Sequence, residues 1–571
     1  MRASHEDIDL VAYTISWTHP HERLYDISIS FTAPADDPRL MLAAWRPGRY
    51  LIQNYAANVR EWRASADGDP CDIWKDAKSG WRVDARAGEA VTVRYRYFAA
   101  VLDAGSSFLD EGEAYFNGSN LFMMVDGLRT EKVRLSIAAP AEWRIETQLS
   151  REDENTFAAR DYDHLIDSPV IAAPEFVRHS FSESGAIIHL VFIGSERIDT
   201  EQFVDPLRAV VRMQAAMFGG LPVREYRFLT QIGDRWHGVE HEASCSIVAK
   251  RSELLGAKPG DAGWDHFVSI CSHEFFHLWN VKRIMPALFA PYDYSSETLT
   301  RLLWVMEGVT SYFGDLTLAR AGVWKEEHYL EHLANEIETL ENLPGREVLS
   351  LSQASFDAWL QNDMHDRANA TISFYNKGEV VAAMLDLTIL QRSDGKQSLD
   401  DVMRLIWREG KILDEDGFAR AVASTCEVGG FFERYVDGTE PLPYAELLAA
   451  AAVSIESEPR DARPALAATV RSDGGRLIVV NARRGGAAMN AGLLPGDEVI
   501  SVDGTRTTTE ADATSVLRSL QGGTPVEMLV SRGGVIRPAT LTATADPRVK
   551  ITLRANGENA LRDRWLRRTN D

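Results

Sequence analysis

Apolar and polar positions alternate with period two through residues 1–170. Tyr25, Ile27, Ile29 and Phe31 fall on one face of a strand, as do Val91, Val93, Tyr95 and Tyr97, then Val133, Leu135 and Ile137. Turn clusters such as "ASADGDP" and "DARAG" separate the runs, which is the pattern of an all-β sandwich. From residue 200 to 455 helical spacing takes over, with one more strand-like stretch, "GVEHEASCSIV". Trp264, Phe267, Val268, Cys271 and Phe275 recur at helical intervals, so "CSHEFFHLWNVKR" (271–283) is predicted to lie on a helix. A second helix is predicted after Ser295–Ser296, read as its cap, running through "ETLTRLLWVMEGVTSYFGDLTLARAG". Further helices are expected at "WKEEHYLEHLANEIETL", "GEVVAAMLDLTIL", "SLDDVMRLIWREG" and "PYAELLAAAAVSI". The charged, proline-bearing "SEPRDARP" reads as a linker, beyond which short strands return over 463–545. The tail holds "NALRDRWLRR", a basic amphipathic helix expected to pack back on the acidic body. The expected organisation is multidomain α+β: a β-sandwich over 1–170, a mostly helical domain over 171–455, a small β domain over 463–545 and a tail over 546–571.

Composition narrows the function classes. A chain of 571 residues is too long for one core. Its net charge of −23 repels phosphate backbones, and no basic block overcomes it locally, so nucleic acid is an unsuitable partner. Cationic groups such as peptide N-termini suit that field. Cys71, Cys245, Cys271 and Cys426 show no CxxC spacing and read as buried thiols rather than a disulfide framework. No apolar run approaches the roughly 18 residues of a membrane span, and charges in "MRASHEDIDLVAYTISW" stand where a leader needs an apolar core. The expectation is a cytoplasmic protein that does not cross a membrane.

The chemistry sits in "HEFFH". On a helix, His273 and His277 share a face and can offer imidazole nitrogens to one ion, while Glu274 leans toward the same space to take a proton from water. With 14 histidines in 571 positions, chance supplies roughly 0.02 to 0.03 such patterns; the alternative is a pair of core histidines. Two glutamates compete as third ligand. Glu297 stands beside the expected helix cap, where the helix dipole alone explains an acid. Glu307 is read as mid-helix in "LLWVMEGVTSYF", where a buried carboxylate needs a partner such as a metal, and it is preferred.

"HEFFHLW" with "WVMEGVTSYF" resembles the gluzincin metallopeptidases, whose aminopeptidase N branch carries HExxHxW and then EGxxxY, here Glu307, Gly308 and Tyr312. "HLWNVKRIMP", "WRPGRY" (45–50), the longer gap before the ligand glutamate and a closing PDZ-like segment are similar to the glycyl aminopeptidase family. The resemblance implies a thermolysin-like catalytic domain, one Zn2+ per chain, and removal of N-terminal residues from peptides, glycine and alanine favoured. It implies Tyr375 of "SFYNKGEVVAAML" as donor to the oxyanion, Tyr375 and Lys377 otherwise being polar residues at a helix start. It also implies an amine anchor in "HGVEHEAS". There Gly238 opens the segment, Glu240 and Glu242 are expected on one face of a strand with His241 opposite, and Glu240 is preferred. His237 and His241 make a weak metal candidate. Asn280 and Arg283 are read as hydrogen-bonding a helix end, and Asp315 as a possible orienter of a ligand. "AGLLPGDEVISVDG" (491–504) resembles the bacterial PDZ core, with Gly492 and Gly496 shaping a turn and a binding loop expected around "RSDGGRLIVV"; such domains take peptide C-termini by strand addition. Two other readings stay open: an endopeptidase or broad-specificity aminopeptidase with the same site, and a catalytically silent PDZ scaffold.

Overall fold

The computed structural model describes residues 10–360 and 367–566. Residues 1–9, whose charges were weighed against a leader, and Arg567–Arg568 of the tail helix lie outside the described residues. The chain divides into two compact units, one of residues 1–299, 313–323 and 407–414, the other of 300–312, 324–406 and 415–571.

The first unit opens with the sandwich. Strand Leu24–Thr32 pairs antiparallel with Leu10–Ser16 and with Ala90–Phe98, inside an eight-stranded sheet. Leu10–Ser16 also pairs parallel with Lys132–Ala138. The alternating residues singled out from the sequence, Tyr25 through Phe31, Val91 through Tyr97 and Val133 through Ile137 on their inward faces, are all buried in one hydrophobic cluster. Period two places every second side chain on the same face of a pleated strand, and that face is removed from water.

A second, five-stranded sheet follows in the same unit, ordered Val177–Glu183, Ala186–Ile193, Glu225–Gly233, Ser244–Lys250, His237–Glu240. The strand Glu225–Gly233 is not visible in the alternation of the sequence. It pairs parallel on both sides and is buried over Phe228–Ile232, polar Thr230 and Gln231 included, so both faces are covered and its letters show no period of two. "GVEHEASCSIV" resolves into two strands, with His237–Glu240 at the sheet edge. The helix Ala262–Phe276 packs Trp264, Phe267, Val268, Cys271 and Phe275 inward.

The second unit is built on helices, including Glu326–Glu341, Asn376–Arg392, Gly417–Thr425 and Tyr444–Ala450. The last of these ends before Val453, so "VSI", expected to continue it, begins the strand Val453–Pro459. That strand pairs antiparallel with Val549–Ala555. Between the two partners lies a separate six-stranded sheet with Ala468–Asp473 at one edge and its own apolar cluster around Leu477, Val499, Leu517 and Leu541. "RSDGG" is a hairpin turn, with Gly474 and Gly475 at φ +56° and +77°. The tail folds as the helix Ala560–Leu566.

One helix differs from its expected start. Residues 297–302 are not helical, and Ser295 and Ser296 donate to the Asp293 carboxylate at 2.6 and 2.7 Å instead of capping. Helix begins at Leu303–Met306 and resumes at Gly308–Arg320. Glu307, read as mid-helix, stands at the break between them with φ −108°. The hydrogen-bond ladder continues through it, from Glu307 N–H to Leu303 O and from Ser311 N–H to Glu307 O, both 2.8 Å. The next residue must approach another helix: a Cβ on Gly308 would stand 2.5 Å from Gly378 Cα.

Candidate metal and amine site

The helix Ala262–Phe276 carries His273 in its last turn, and His277 caps its end. In neutral His277, Nδ1–H donates to the Asn280 carbonyl oxygen at 2.7 Å, which leaves the lone pair on Nε2. That Nε2 faces His273 Nε2 at 3.0 Å. A carbonyl that fixes the far nitrogen of a histidine is the usual support of a metal-ligating imidazole. Asn280 thus acts through its backbone. Glu307, at the break between Leu303–Met306 and Gly308–Arg320, is 2% exposed. Two imidazole nitrogens and a carboxylate oxygen form the donor set that catalytic zinc takes with a position left open. The side chains present therefore fit such an ion.

Two glycines make slots for two carboxylates. A Cβ on Gly238 would lie 2.1 Å from Glu274 Oε1, and one on Gly48 would lie 2.4 Å from Glu240 Oε2. Gly48 also has φ +77°, a conformation other residues enter at a cost. Sequence reasoning did not place Gly48 in the site, although "WRPGRY" was singled out for its family resemblance. With these slots, Glu240, Glu274 and His277 each bring one ligand atom within 4.8 Å of one another, and all three are buried. Glu240 Oε1 has no hydrogen-bond partner among the described residues. A buried carboxylate oxygen left so is costly and suited to a cationic guest.

Glu242 goes elsewhere. The strand ends at Glu240, so the alternation expected to put both acids on one face stops there, and His241 N–H closes a turn onto Ser244 O at 2.9 Å. Glu242 forms a bidentate pair with Arg160, Oε1 at 3.0 Å and Oε2 at 2.5 Å. His241 turns to Asp167, Nδ1 to Oδ1 at 3.2 Å, and Lys282 Nζ meets the same oxygen at 2.8 Å. His237 Nδ1 accepts from Ala104 N–H at 3.2 Å, and burial followed by Arg46 drops its pKa to about 4. His237 and His241 therefore have separate partners.

Arg283 donates to the carbonyls of Leu278 and Glu242, at 2.7 and 3.2 Å, the helix-end role expected of it. Asp315, on Gly308–Arg320, accepts from Ser269 Oγ at 2.7 Å, one turn before His273 on its helix. Tyr375 precedes the helix Asn376–Arg392, is 37% exposed and lies against the Phe374 ring at 4.8 Å. Lys377 is buried, and burial first, then Arg346, lowers its pKa to about 8.

Three family profiles match the chain: the Peptidase M61 N-terminal domain over residues 12–174, the M61 glycyl aminopeptidase over 266–381 and a PDZ domain over 478–532. No curated protein matches. Among solved structures the chain is similar to an aminopeptidase N family protein from Idiomarina loihiensis, at 27% identity and TM-score 0.91, covering 97% of this chain and 100% of that one. An M1 zinc metallopeptidase from Deinococcus radiodurans matches at 14% identity and TM-score 0.48, over 76% of this chain and 96% of that one, a likeness too loose to argue from.

Proposed function

We propose that this chain, which belongs to the M61 glycyl aminopeptidase family of metallopeptidases, is a zinc-dependent aminopeptidase that removes the first residue of peptides, glycine and alanine favoured. His273, His277 and Glu307 would hold one zinc ion, which supplies a Lewis acid when bound. Glu274 takes a proton from the attacking water and returns it to the leaving amine. Tyr375 donates to the carbonyl oxygen as negative charge grows there. Glu240 accepts the substrate ammonium, so that cleavage falls one residue in, and Gly238 and Gly48 keep the two carboxylates within reach of one peptide. Glu242 and His241 act by holding the segment after the strand, not by touching substrate. The PDZ domain takes peptide C-termini on its edge strand Ala468–Asp473. The described cysteines are free thiols, Cys245 and Cys271 buried as expected but Cys71 and Cys426 only half-buried, and free thiols suit the cytoplasm.

The observation that carries this reading is the pair of Nε2 atoms 3.0 Å apart, with the buried Glu240 and Glu274 each bringing a carboxylate oxygen within 4.8 Å of a His277 ring nitrogen. Metal analysis and hydrolysis of Gly- and Ala-p-nitroanilide, before and after chelation, test it. Activity should vanish with the metal and return with zinc. Metal-free protein at full activity, or a zinc-loaded protein with none, would sink the enzyme reading and favour a scaffold. Free-amine and N-acetylated peptides tested on wild type and Glu240→Gln separate exopeptidase from endopeptidase. The wild type should cleave only the former and the variant should lose most of that activity.

A further inference from the structure

The last helix of the chain closes on the helix that begins beside Glu307. Trp565 is fully buried, and its Nε1–H donates to Tyr312 Oη at 2.9 Å. Tyr312 in turn donates to Asp386 Oδ2 at 2.5 Å, and Leu399 N–H donates to Asp386 Oδ1 at 2.7 Å. A carboxylate with no exposure is satisfied here by a directed chain of donors, each bond strengthening the next. Gly308 and Tyr312, one turn apart, share a face, and that face meets the helix Asn376–Arg392 at Gly378 and at Asp386. The first contact is a close approach of backbones; the second is the hydrogen-bond chain that Trp565 completes. Glu307 is the residue immediately before this doubly pinned turn.

The described part of the tail is tied down at several points. Strand Val549–Ala555 pairs with Val453–Pro459, Val549 exchanges two hydrogen bonds with the Asn342 side chain at 2.8 and 2.9 Å, and Ile551 N–H donates to Glu338. Arg562, 4% exposed, donates to the carbonyls of Ala451 and Ala452 and pairs with Glu326 at 2.9 Å. Trp565 lies edge-on to Tyr329 at 5.7 Å. The PDZ domain is thus inserted between two paired strands, and the chain returns from it to the base of the Glu307 turn.

We infer that Trp565 is a positioning residue for Glu307: through Tyr312 and Asp386 it sets the angle of the helix that this carboxylate immediately precedes. This rests on the reading of Glu307 as a zinc ligand. The test uses the full-length chain, Trp565→Phe, which keeps a ring and removes the N–H, and a chain ending at Glu558. Zinc affinity is measured by competition with a chromophoric chelator, and kcat and KM for Ala-p-nitroanilide at saturating zinc. Trp565→Phe should weaken zinc several-fold, the scale of one hydrogen bond. The truncation should weaken it by about 10- to 100-fold, as losing outer-shell support does. In both, kcat should fall while KM holds. In a Tyr312→Phe background, where Trp565 has no hydroxyl to donate to, Trp565→Phe should add little. Leu541→Ala, in the PDZ core, should lower the thermal midpoint without moving zinc affinity. Wild-type zinc affinity and kcat in both Trp565→Phe and the truncation overturn the inference while the aminopeptidase reading stands. A wild type that binds no zinc overturns that reading, and this inference with it.

Discussion

Two buried histidines of the same unit, His241 and His277, are 3% and 1% exposed and have opposite surroundings. His241 joins a cluster that closes its own charge balance. Burial opposes the Asp167 charge, yet Lys282 and His241 hold its carboxyl below the usual carboxylate range. Burial likewise opposes the Lys282 charge, and Asp167 carries its ammonium above the usual lysine range. Burial pushes His241 down, toward the neutral ring. His277 instead gives its one N–H to a carbonyl, turns its lone pair toward another imidazole, and is grouped with two carboxylates, Glu240 and Glu274. A cation is built into the first cluster as Lys282. In the second the donor atoms converge on a place for one from outside. Burial and residue type do not separate the two histidines; what their ring nitrogens meet does, a carboxylate for His241 and a carbonyl and a second imidazole for His277.

The comparison breaks most sharply at Glu274. Glu274→Gln should cut kcat by about 10²- to 10⁴-fold, the range for losing a general base, with zinc content and thermal midpoint unchanged. Retained activity would remove the proton-transfer role. Lys282→Met is the counterpart in the closed cluster. It strands the Asp167 carboxylate and should cost about 3–5 kcal/mol of stability, with one zinc still bound by the folded fraction. Denaturant unfolding and metal analysis of the same sample read both. Loss of zinc without loss of stability would reverse the two roles.

Acid sharpens the difference further. The folded-state pKa of Asp167 is depressed, so its contribution is present above the ordinary carboxylate pKa and is lost as pH falls through the folded value. Wild type should lose stability on acidification below the ordinary carboxylate range more steeply than Lys282→Met. The smallest effect concerns Lys377, whose folded pKa of about 8 lies below the ordinary 10.5. The unfolded chain then binds more protons between those values. Stability should rise with pH across that window, by at most about 1.4 kcal/mol per pH unit. Thermal midpoints at both ends of the window should converge in Lys377→Met.

Much of the site was legible because it is local. His273, Glu274 and His277 depend only on helical spacing, and the third glutamate was preferred by its apolar neighbours rather than by distance in the chain. What misled was the assumption that an element continues. Glu242 was expected to share a face with Glu240, but the strand stops at Glu240, where Asp167, Arg160 and the turn to Ser244 take over. The helix expected to follow the cap Ser295–Ser296 from Glu297 starts six residues later, at Leu303, because Asp293 captures both serines. Gly48 went unremarked as a site residue because its role is to be close to a side chain 192 positions away.

Periodicity and residue chemistry, which act over a few neighbouring positions, were enough to mark the sandwich strands, the histidine helix and the PDZ core from the letters alone. Which acid faces the histidines, where the Glu307 helix breaks, and that Trp565 returns to Tyr312 were decided only by folding. Each depends on a contact between residues tens or hundreds of positions apart, whose strength comes from burial and from the partner that burial makes necessary.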